Sequence, residues 1–397
     1  MRIVEIDDFF HPSSGYQSNV LSKYFVKFGH DVTIVCGEMK KMPKYLTDFF
    51  QSKNIDEEDK KYTDETGVKI IRIPLIKYVS GRAIYTKKIF KVIDELNPDI
   101  LFIHADDTVI AMQYLLKIHK KNYALIMDNH QCDLSSHNKF REVFRLIFRR
   151  VFTPIIKKYQ FKIVRLVEND DYMLKHYDIP LELTPCITFA SDTMLFHPDN
   201  NVRDKFREDN NISKDAFVVI YAGKLDEYKG GLLLSKVLQL EFDVGREIVF
   251  LVVGNVSGDY GKEVERNFAN SKNRILRFPT QKYRDLVKFF QASDIAVFAK
   301  ECSLTFFDVQ ACGLPVVSEN NEINVDRCSH NNGLNFESSS IEDFRNKIIE
   351  FATMSKEDFS KASKAAVKFV FDNYNYETKA KEFEKIMIEE IVRQKKV

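Results

Sequence analysis

Short apolar runs alternate with amphipathic stretches along most of this chain. In the first half, MRIVEI predicts a strand, and HPSSGYQSNVLSKYFVKFGHD predicts a loop and a helix. Val20, Leu21, Tyr24 and Phe25 share one helical face, and Gly29 stands where a helix stops. VTIVCG, VKIIRIPL, DILFIHA and YALIMDN predict further strands. The second half starts the pattern again. FVVIYAG, IVFLVVGN, RILRFP, DIAVFAK and PVVSE predict strands, while GGLLLSKVLQL, YRDLVKFFQAS and LTFFDVQAC predict helices. Strands that are apolar throughout and alternate with helices imply a parallel sheet covered on both faces. The expected fold is α/β, with two Rossmann-like doubly wound domains facing one another across a cleft. The first spans 1–190 and the second 200–374, followed by a last helical run at 375–397. The irregular LTPCITFASDTMLFHPDNN reads as the linker.

The length of 397 residues suits two cores better than one. A net charge of +1 offers no basic balance for nucleic acid, and no nucleic-acid partner is expected. The six cysteines show no metal-ligand spacing and read as reduced thiols. The chain opens directly on a strand pattern with no basic-then-apolar leader, so no secretory signal is expected. No apolar run approaches the roughly 20 residues of a membrane span. The expected location is the cytoplasm.

Ligands of doubly wound sheets sit at the carboxyl ends of the strands. Four segments fall there. The first, His11-Pro12-Ser13-Ser14-Gly15, has a glycine that admits a close ligand or simply makes a turn. No GxGxxG is present, which argues against a dinucleotide fold. The second is Ala222 to Gly231, where Lys224 and Lys229 lie among three glycines and can hold a diphosphate by charge, or form a solvated turn. The third is SDIAVFAKECSLTFFDVQACGLPVVSE, a strand, loop, helix and strand. Its loop offers the backbone N–H groups of Ser303, Leu304 and Thr305 to phosphate, with Glu301 and Asp308 beside them. Phosphate needs donors, so these carboxylates call for another partner, such as sugar hydroxyls. Asp308 could instead be an acid satisfying a helix dipole, and Glu301 a solvated loop residue. The fourth is Asp128-Asn129-His130, whose histidine suits either a sugar hydroxyl or a structural hydrogen bond. His104 ends the preceding strand in the same way, and there the structural role is preferred. The pairs Asp7-Asp8, Asp106-Asp107 and Asp170-Asp171 are adjacent, so their side chains should diverge. With no D-x-D and with lysines and amides to supply countercharge, neither metal nor cofactor is expected.

In this order the segments resemble the retaining nucleotide-sugar glycosyltransferases of family 4, which have the GT-B fold. Ser14-Gly15 matches the family's N-terminal glycine pair, and Gly29-His30-Asp31-Val32 its GHxV. Ala222-Gly223-Lys224-Leu225 with Lys229-Gly230 matches its G-R-L…K-G, and Leu251 to Gly254 its next strand end. Asp308 with Ala311 to Val317 matches its E-A-x-A-C-G-x-P-V, and Asn332-Gly333-Leu334 its late N-G-L. The resemblance implies transfer of a sugar from a UDP, GDP or dTDP donor to a hydroxyl of a glycan or lipid-linked acceptor, with retention, in cell-surface polysaccharide or glycoconjugate synthesis. It implies Gly15, Lys224, Lys229, Ser303, Leu304 and Thr305 at the diphosphate. Asp308 and Gly254 would lie at the ribose, Pro279 and Thr280 near the base, and Glu301 and His130 by the donor sugar. The last helical run, 375–397, would cross back to the first domain. Lys224 stands for the family's arginine and Asp308 for its second glutamate. The first glutamate falls at Lys300 by strict spacing, with the acid at Glu301. These departures keep a rival open: a catalytically silent relative that binds a sugar nucleotide as an assembly partner. A nucleotide-sugar epimerase and an inverting transferase are the nearer alternatives.

The run from Lys139 to Arg165 is basic and interleaved with apolar residues. Val143, Phe144, Ile147, Phe148 and Val151 fall near one helical face. That pattern suits a core-packed helix with a solvated basic side, or a peripheral contact with an anionic membrane surface, such as the inner face of the plasma membrane.

Overall fold

A computed structural model describes residues 1–47, 50, 54–131, 140–168, 171–300 and 304–395. The chain divides into two compact units, Met1–Phe189 with Tyr376–Val397, and Ala190–Asn375.

The first unit is built on β1 (Arg2–Asp7), β2 (Asp31–Gly37), β3 (Lys69–Ile73), β4 (Leu75–Val79), β5 (Arg82–Tyr85), β6 (Ile100–Ile103), β7 (Ala124–Asn129) and β8 (Lys162–Arg165). Six of them form a parallel sheet in the order β3-β2-β1-β6-β7-β8, and β4 and β5 form an antiparallel hairpin apart from it. VKIIRIPL was expected as one strand; β3 is its Lys69–Ile73, and a further strand, β4, begins at its last residue. Pro74, with no N–H to give a ladder, ends β3 and lets β4 turn away to pair with β5. The Tyr376–Gln394 helix belongs to this unit: Phe383 packs on Phe102 of β6 with ring centroids 5.4 Å apart, and Glu384 meets His30 at 2.7 Å.

The second unit holds β9 (Phe217–Ala222), β10 (Ile248–Val253), β11 (Arg274–Phe278), β12 (Ile295–Phe298), β13 (Val316–Glu319) and β14 (Gly333–Phe336). All pair in parallel, in the order β11-β10-β9-β12-β13-β14. Counted along each unit, the two main sheets have the same order, that of a doubly wound dinucleotide-type sheet. Alternation along β9 and β10 feeds two cores. Val218, Ile220, Val249 and Leu251 join one, and Phe217, Val219, Phe250 and Val252 join the other. Burial on both faces explains the unbroken apolar runs. Of residues 183–201, read as linker, those up to Phe189 close the first unit and those from Ala190 are part of this one. The Ser191 N–H donates to Tyr374 O at 2.8 Å, and Phe196 is fully buried. Among the described residues no helix is long and apolar enough to cross a membrane.

Candidate functional site

The order of the second sheet reverses between β9 and β12, and the loops leaving these strands meet there. After β9, Tyr221 Oη donates to Lys224 O at 2.6 Å, and the Lys229 N–H donates to Asp226 Oδ1 at 2.9 Å. Gly230 follows with φ +73°. A Cβ there would lie 3.1 Å from the Cβ atoms of Ala299 and Lys300, so the Lys229-Gly230 corner rests on the end of β12. Lys224 is exposed and Lys229 half-buried. Two segments about 70 residues apart, each expected to face phosphate, are therefore neighbours. Beyond β12, Leu304 is 40% exposed and Thr305 opens the Thr305–Ala311 helix. Glu301 and Ser303 lie outside the described residues.

One strand away, β9 and β10 end in backbone contact. Gly254 has φ +152°, and a Cβ there would fall 1.8 Å from Gly223 O. No other residue type fits. Arg277 secures this end, donating to Val252 O at 2.5 Å and to Gly254 O at 3.0 Å and pairing with Glu265 at 2.6 Å. Asn255 and Thr280 are linked both ways: the Asn255 N–H donates to Thr280 Oγ1, and the Thr280 N–H to Asn255 Oδ1, each at 3.1 Å. A pocket of about 330 Å³ is lined by Gly254, Asn255, Arg277 and Pro279. Asn255 and Arg277 were not singled out from the sequence, where each is one polar residue at the end of a strand.

Asp308 sits in the first turn of the Thr305–Ala311 helix and is 3% exposed. Its Oδ1 accepts from Ser191 Oγ at 2.7 Å. Burial pushes the carboxyl up to about 8. The Ser191 hydrogen bond opposes this, Asp192 adds to it, and a hydrogen bond with Tyr283 opposes it again. At neutral pH this group carries a proton and can donate as well as accept. Ser191 precedes Asp308 by 117 positions, and no spacing rule connects them.

In the first unit the carboxyl ends of β1, β6 and β7 carry a chain of hydrogen bonds. Glu5 Oε2 meets His104 Nε2 at 2.9 Å, His104 Nδ1 meets Asp128 Oδ2 at 2.9 Å, and Asp128 Oδ1 meets His130 Nε2 at 3.0 Å. Glu5, His104 and Asp128 are buried, while the His130 side chain is 37% exposed. Burial alone would lower the basicity of His104, but Asp128 and Glu5 raise its pKa well above the ordinary value. The paired histidines hold Asp128 below the usual carboxylate range. His130 keeps Nε2 on Asp128 while its side chain stays partly exposed. Ligand atoms of His104, Asp128 and His130 lie within 4.8 Å of one another, a spacing that also suits a metal ion. Their mutual hydrogen bonds satisfy the same atoms. Glu5 went unnoticed because it sits inside an apolar strand.

Gly15 is half-buried and leads into the Gln17–Lys27 helix. Beside it Ser14 Oγ is 2.7 Å from His11 O and 2.6 Å from Asn19 Oδ1. The adjacent acids do diverge: Asp7 accepts from Ser18 Oγ at 2.6 Å, and Asp8 from the Ala83 N–H at 2.9 Å. Asp106 accepts from Asn129 at 2.7 Å, and Asp107 pairs with Arg82. Asp170 lies outside the described residues.

The basic run is a helix at Arg141–Ile147, a wider five-residue turn at Phe148–Phe152, and a helix at Thr153–Tyr159. The wide turn accommodates Pro154, which cannot donate to the carbonyl four residues back. The single expected apolar face is corrected by the structure. Phe148, Phe152 and Ile156 enter the core, with Phe144 packed against it, while Val143, Leu146, Ile147 and Val151 are 43% to 58% exposed. The run then ends in β8, which its basic residues concealed.

Residues 202–369 match the family model described as glycosyl transferases group 1. D-inositol 3-phosphate glycosyltransferase of Paenarthrobacter aurescens is 26% identical over 169 residues, which are 39% of this chain and 40% of that protein. The chain thus spans about two fifths of that relative's length. A probable sucrose-phosphate synthase of Thermosipho melanesiensis is 22% identical, with 94% of this chain and 90% of that one covered. Among solved structures, a glycosyltransferase from Rickettsia africae superposes with a TM-score of 0.74 at 19% identity, covering 98% of both chains. Anabaena HepE in complex with UDP superposes with a TM-score of 0.72 at 14% identity, covering 98% of this chain and all of that one. Residues 202–369 are thus similar to group 1 glycosyl transferases, and the chain as a whole has the GT-B fold.

Proposed function

We propose that this protein transfers a sugar from a nucleoside diphosphate sugar to an acceptor hydroxyl with retention of the anomeric configuration. The setting would be cytoplasmic synthesis of a cell-surface polysaccharide or glycoconjugate. The observation that carries this reading is the meeting of the Lys229-Gly230 corner with the end of β12. As the glycosidic bond breaks, negative charge grows on the leaving diphosphate. Lys224, Lys229 and the amides that open the Thr305–Ala311 helix stabilise it with groups already in place. Asp308 and the Gly254 pocket take the ribose and base, and His130 hydrogen-bonds a sugar hydroxyl. Glu301 and Ser303 keep their proposed roles through their place in the sequence beside Lys300 and Leu304. The UDP and UDP-glucose named with the HepE structures support a uridine donor.

A thermal-shift screen of UDP-, GDP- and dTDP-sugars tests donor binding, and NMR of the product anomer separates retention from inversion. An epimerase would release an altered sugar nucleotide without any acceptor. Lys229→Ala should lose transfer and donor affinity together, by about tenfold or more for a charge-assisted contact. Near-normal transfer by that variant would remove the diphosphate assignment. Binding without turnover across a broad acceptor panel would favour the silent relative.

Exposed Val143, Leu146, Ile147 and Val151 beside Arg149 and Arg150 favour a second feature, peripheral attachment to an anionic membrane and a lipid-linked acceptor. Sedimentation with anionic liposomes at low salt should carry the protein down. A protein left in the supernatant discards the idea.

A further inference from the structure

Asn255 and Glu265 both line the pocket of about 330 Å³ beyond the end of β10. Asn255 follows that strand, and Glu265 comes from the next helix, Gly258–Ala269. Most of the polar groups of Asn255 are taken. Its N–H donates to Thr280 Oγ1 and its Oδ1 accepts from the Thr280 N–H, each at 3.1 Å, while its backbone carbonyl accepts from the Leu225 N–H at 3.2 Å. An N–H can only meet an oxygen here, so Thr280 fixes which way the amide points. That leaves Nδ2, with its two N–H groups, for a ligand. Glu265 is fixed in turn. Arg277 meets both of its oxygens, at 2.6 and 3.3 Å, and is itself held by Val252 O and Gly254 O. Each carboxylate oxygen has two lone pairs, so Glu265 can still accept from a further N–H. Arg277 and Glu265 cancel in charge, and no other charged residue lines the pocket. What it offers is therefore a pattern: one donor and one acceptor, both held in place, beside apolar Val256 and Pro279.

We infer that Asn255 and Glu265 select the base of the donor by its hydrogen-bonding edge: Asn255 Nδ2 donates to a ring carbonyl, and Glu265 accepts the neighbouring ring N–H. Uracil, thymine and guanine share that edge, an N–H beside a C=O. Cytosine and adenine carry the reverse, a bare ring nitrogen beside an amino group. They set donor against donor and lone pair against lone pair, and leave both protein groups unmatched. The substrate class is a UDP-, dTDP- or GDP-linked sugar, with CDP and ADP refused. The inference rests on the reading of this pocket as the base subsite of a nucleotide-sugar transferase.

Titration calorimetry of the full chain with UDP, GDP, CDP and ADP tests it. UDP or GDP should bind about tenfold or more tightly than CDP and ADP. The UDP and GDP titrations tell a one-ring base from a two-ring base. Asn255→Asp keeps an oxygen for the Thr280 N–H and turns the remaining donor into an acceptor. Its added charge weakens every nucleoside diphosphate, but the preference for UDP over CDP should also fall by about tenfold or more. Glu265→Gln keeps an oxygen for Arg277 and should lower the same preference. Damage to the frame of the pocket weakens UDP and CDP alike, so the ratio separates recognition from structure, and melting curves verify the fold. Equal binding of all four nucleotides by the parent, or tighter binding of CDP or ADP, overturns the base selection and leaves the transferase reading standing. A UDP-to-CDP ratio that either variant leaves unchanged does the same. No binding of any of the four sinks the donor reading itself, and the base selection with it.

Discussion

Asp308 should weaken the fold it belongs to, and replacing it should show by how much. Its carboxyl keeps a proton up to about pH 8 when folded, against an ordinary value of 3.8. Below both values the folded and unfolded chains are both protonated, and the group has no effect on stability. Between them only the unfolded chain releases the proton, so stability falls as the pH rises. Each pH unit crossed costs about 1.4 kcal/mol. The penalty is therefore about 2 kcal/mol near pH 5 and about 5 kcal/mol near pH 8, upper figures because the site can relax around the charge. Asp308→Asn has the same shape, can still accept from Ser191 Oγ, and does not titrate. Urea unfolding followed by far-ultraviolet circular dichroism should show the variant gaining about 3 kcal/mol on the parent between about pH 5 and pH 8. The same change should weaken UDP-sugar binding, because the acid at this helix position is proposed to face the ribose. A stability difference that stays flat with pH would refute the buried, neutral carboxyl, and unchanged donor binding would refute the ribose role.

Two other substitutions probe the frame of the site. Gly254→Ala places a Cβ 1.8 Å from Gly223 O, so the ends of β9 and β10 must separate. A loss of about 3 kcal/mol or more, with nucleotide binding abolished, is expected by calorimetry, and parent-like melting would contradict the backbone contact. His104→Gln leaves Glu5 and Asp128 buried without their shared cation and should cost about 3 to 5 kcal/mol near neutral pH. Because the folded His104 value is raised, its contribution is complete below the ordinary histidine range. It fades as the pH climbs through the raised value. The gap between parent and variant should therefore narrow in alkaline solution, and a constant gap would show that His104 acts by packing alone.

Local patterning was enough to reveal two doubly wound units, because strands buried on both faces must be apolar throughout and their helices must be amphipathic. It also singled out Lys224, Lys229 and Asp308 as candidates, since turns and helix starts are written in adjacent residues, while Gly254 came from the family resemblance. Where short-range signals conflict with burial, the pattern misled. The β4–β5 hairpin beyond Pro74 went unread, the basic residues of Lys162–Arg165 hid an edge strand, and the apolar positions around Ile147 divided between core and solvent. Pairings across long stretches of chain had no local trace. Ser191 reaches Asp308 across 117 residues, Glu5 reaches His104 across 99, and the Lys229-Gly230 corner rests on Lys300. Those contacts set protonation and spacing in the proposed site. They exist only once strand order is established, because hydrogen bonds and desolvation depend on distance in space, whereas patterning records only neighbours along the chain.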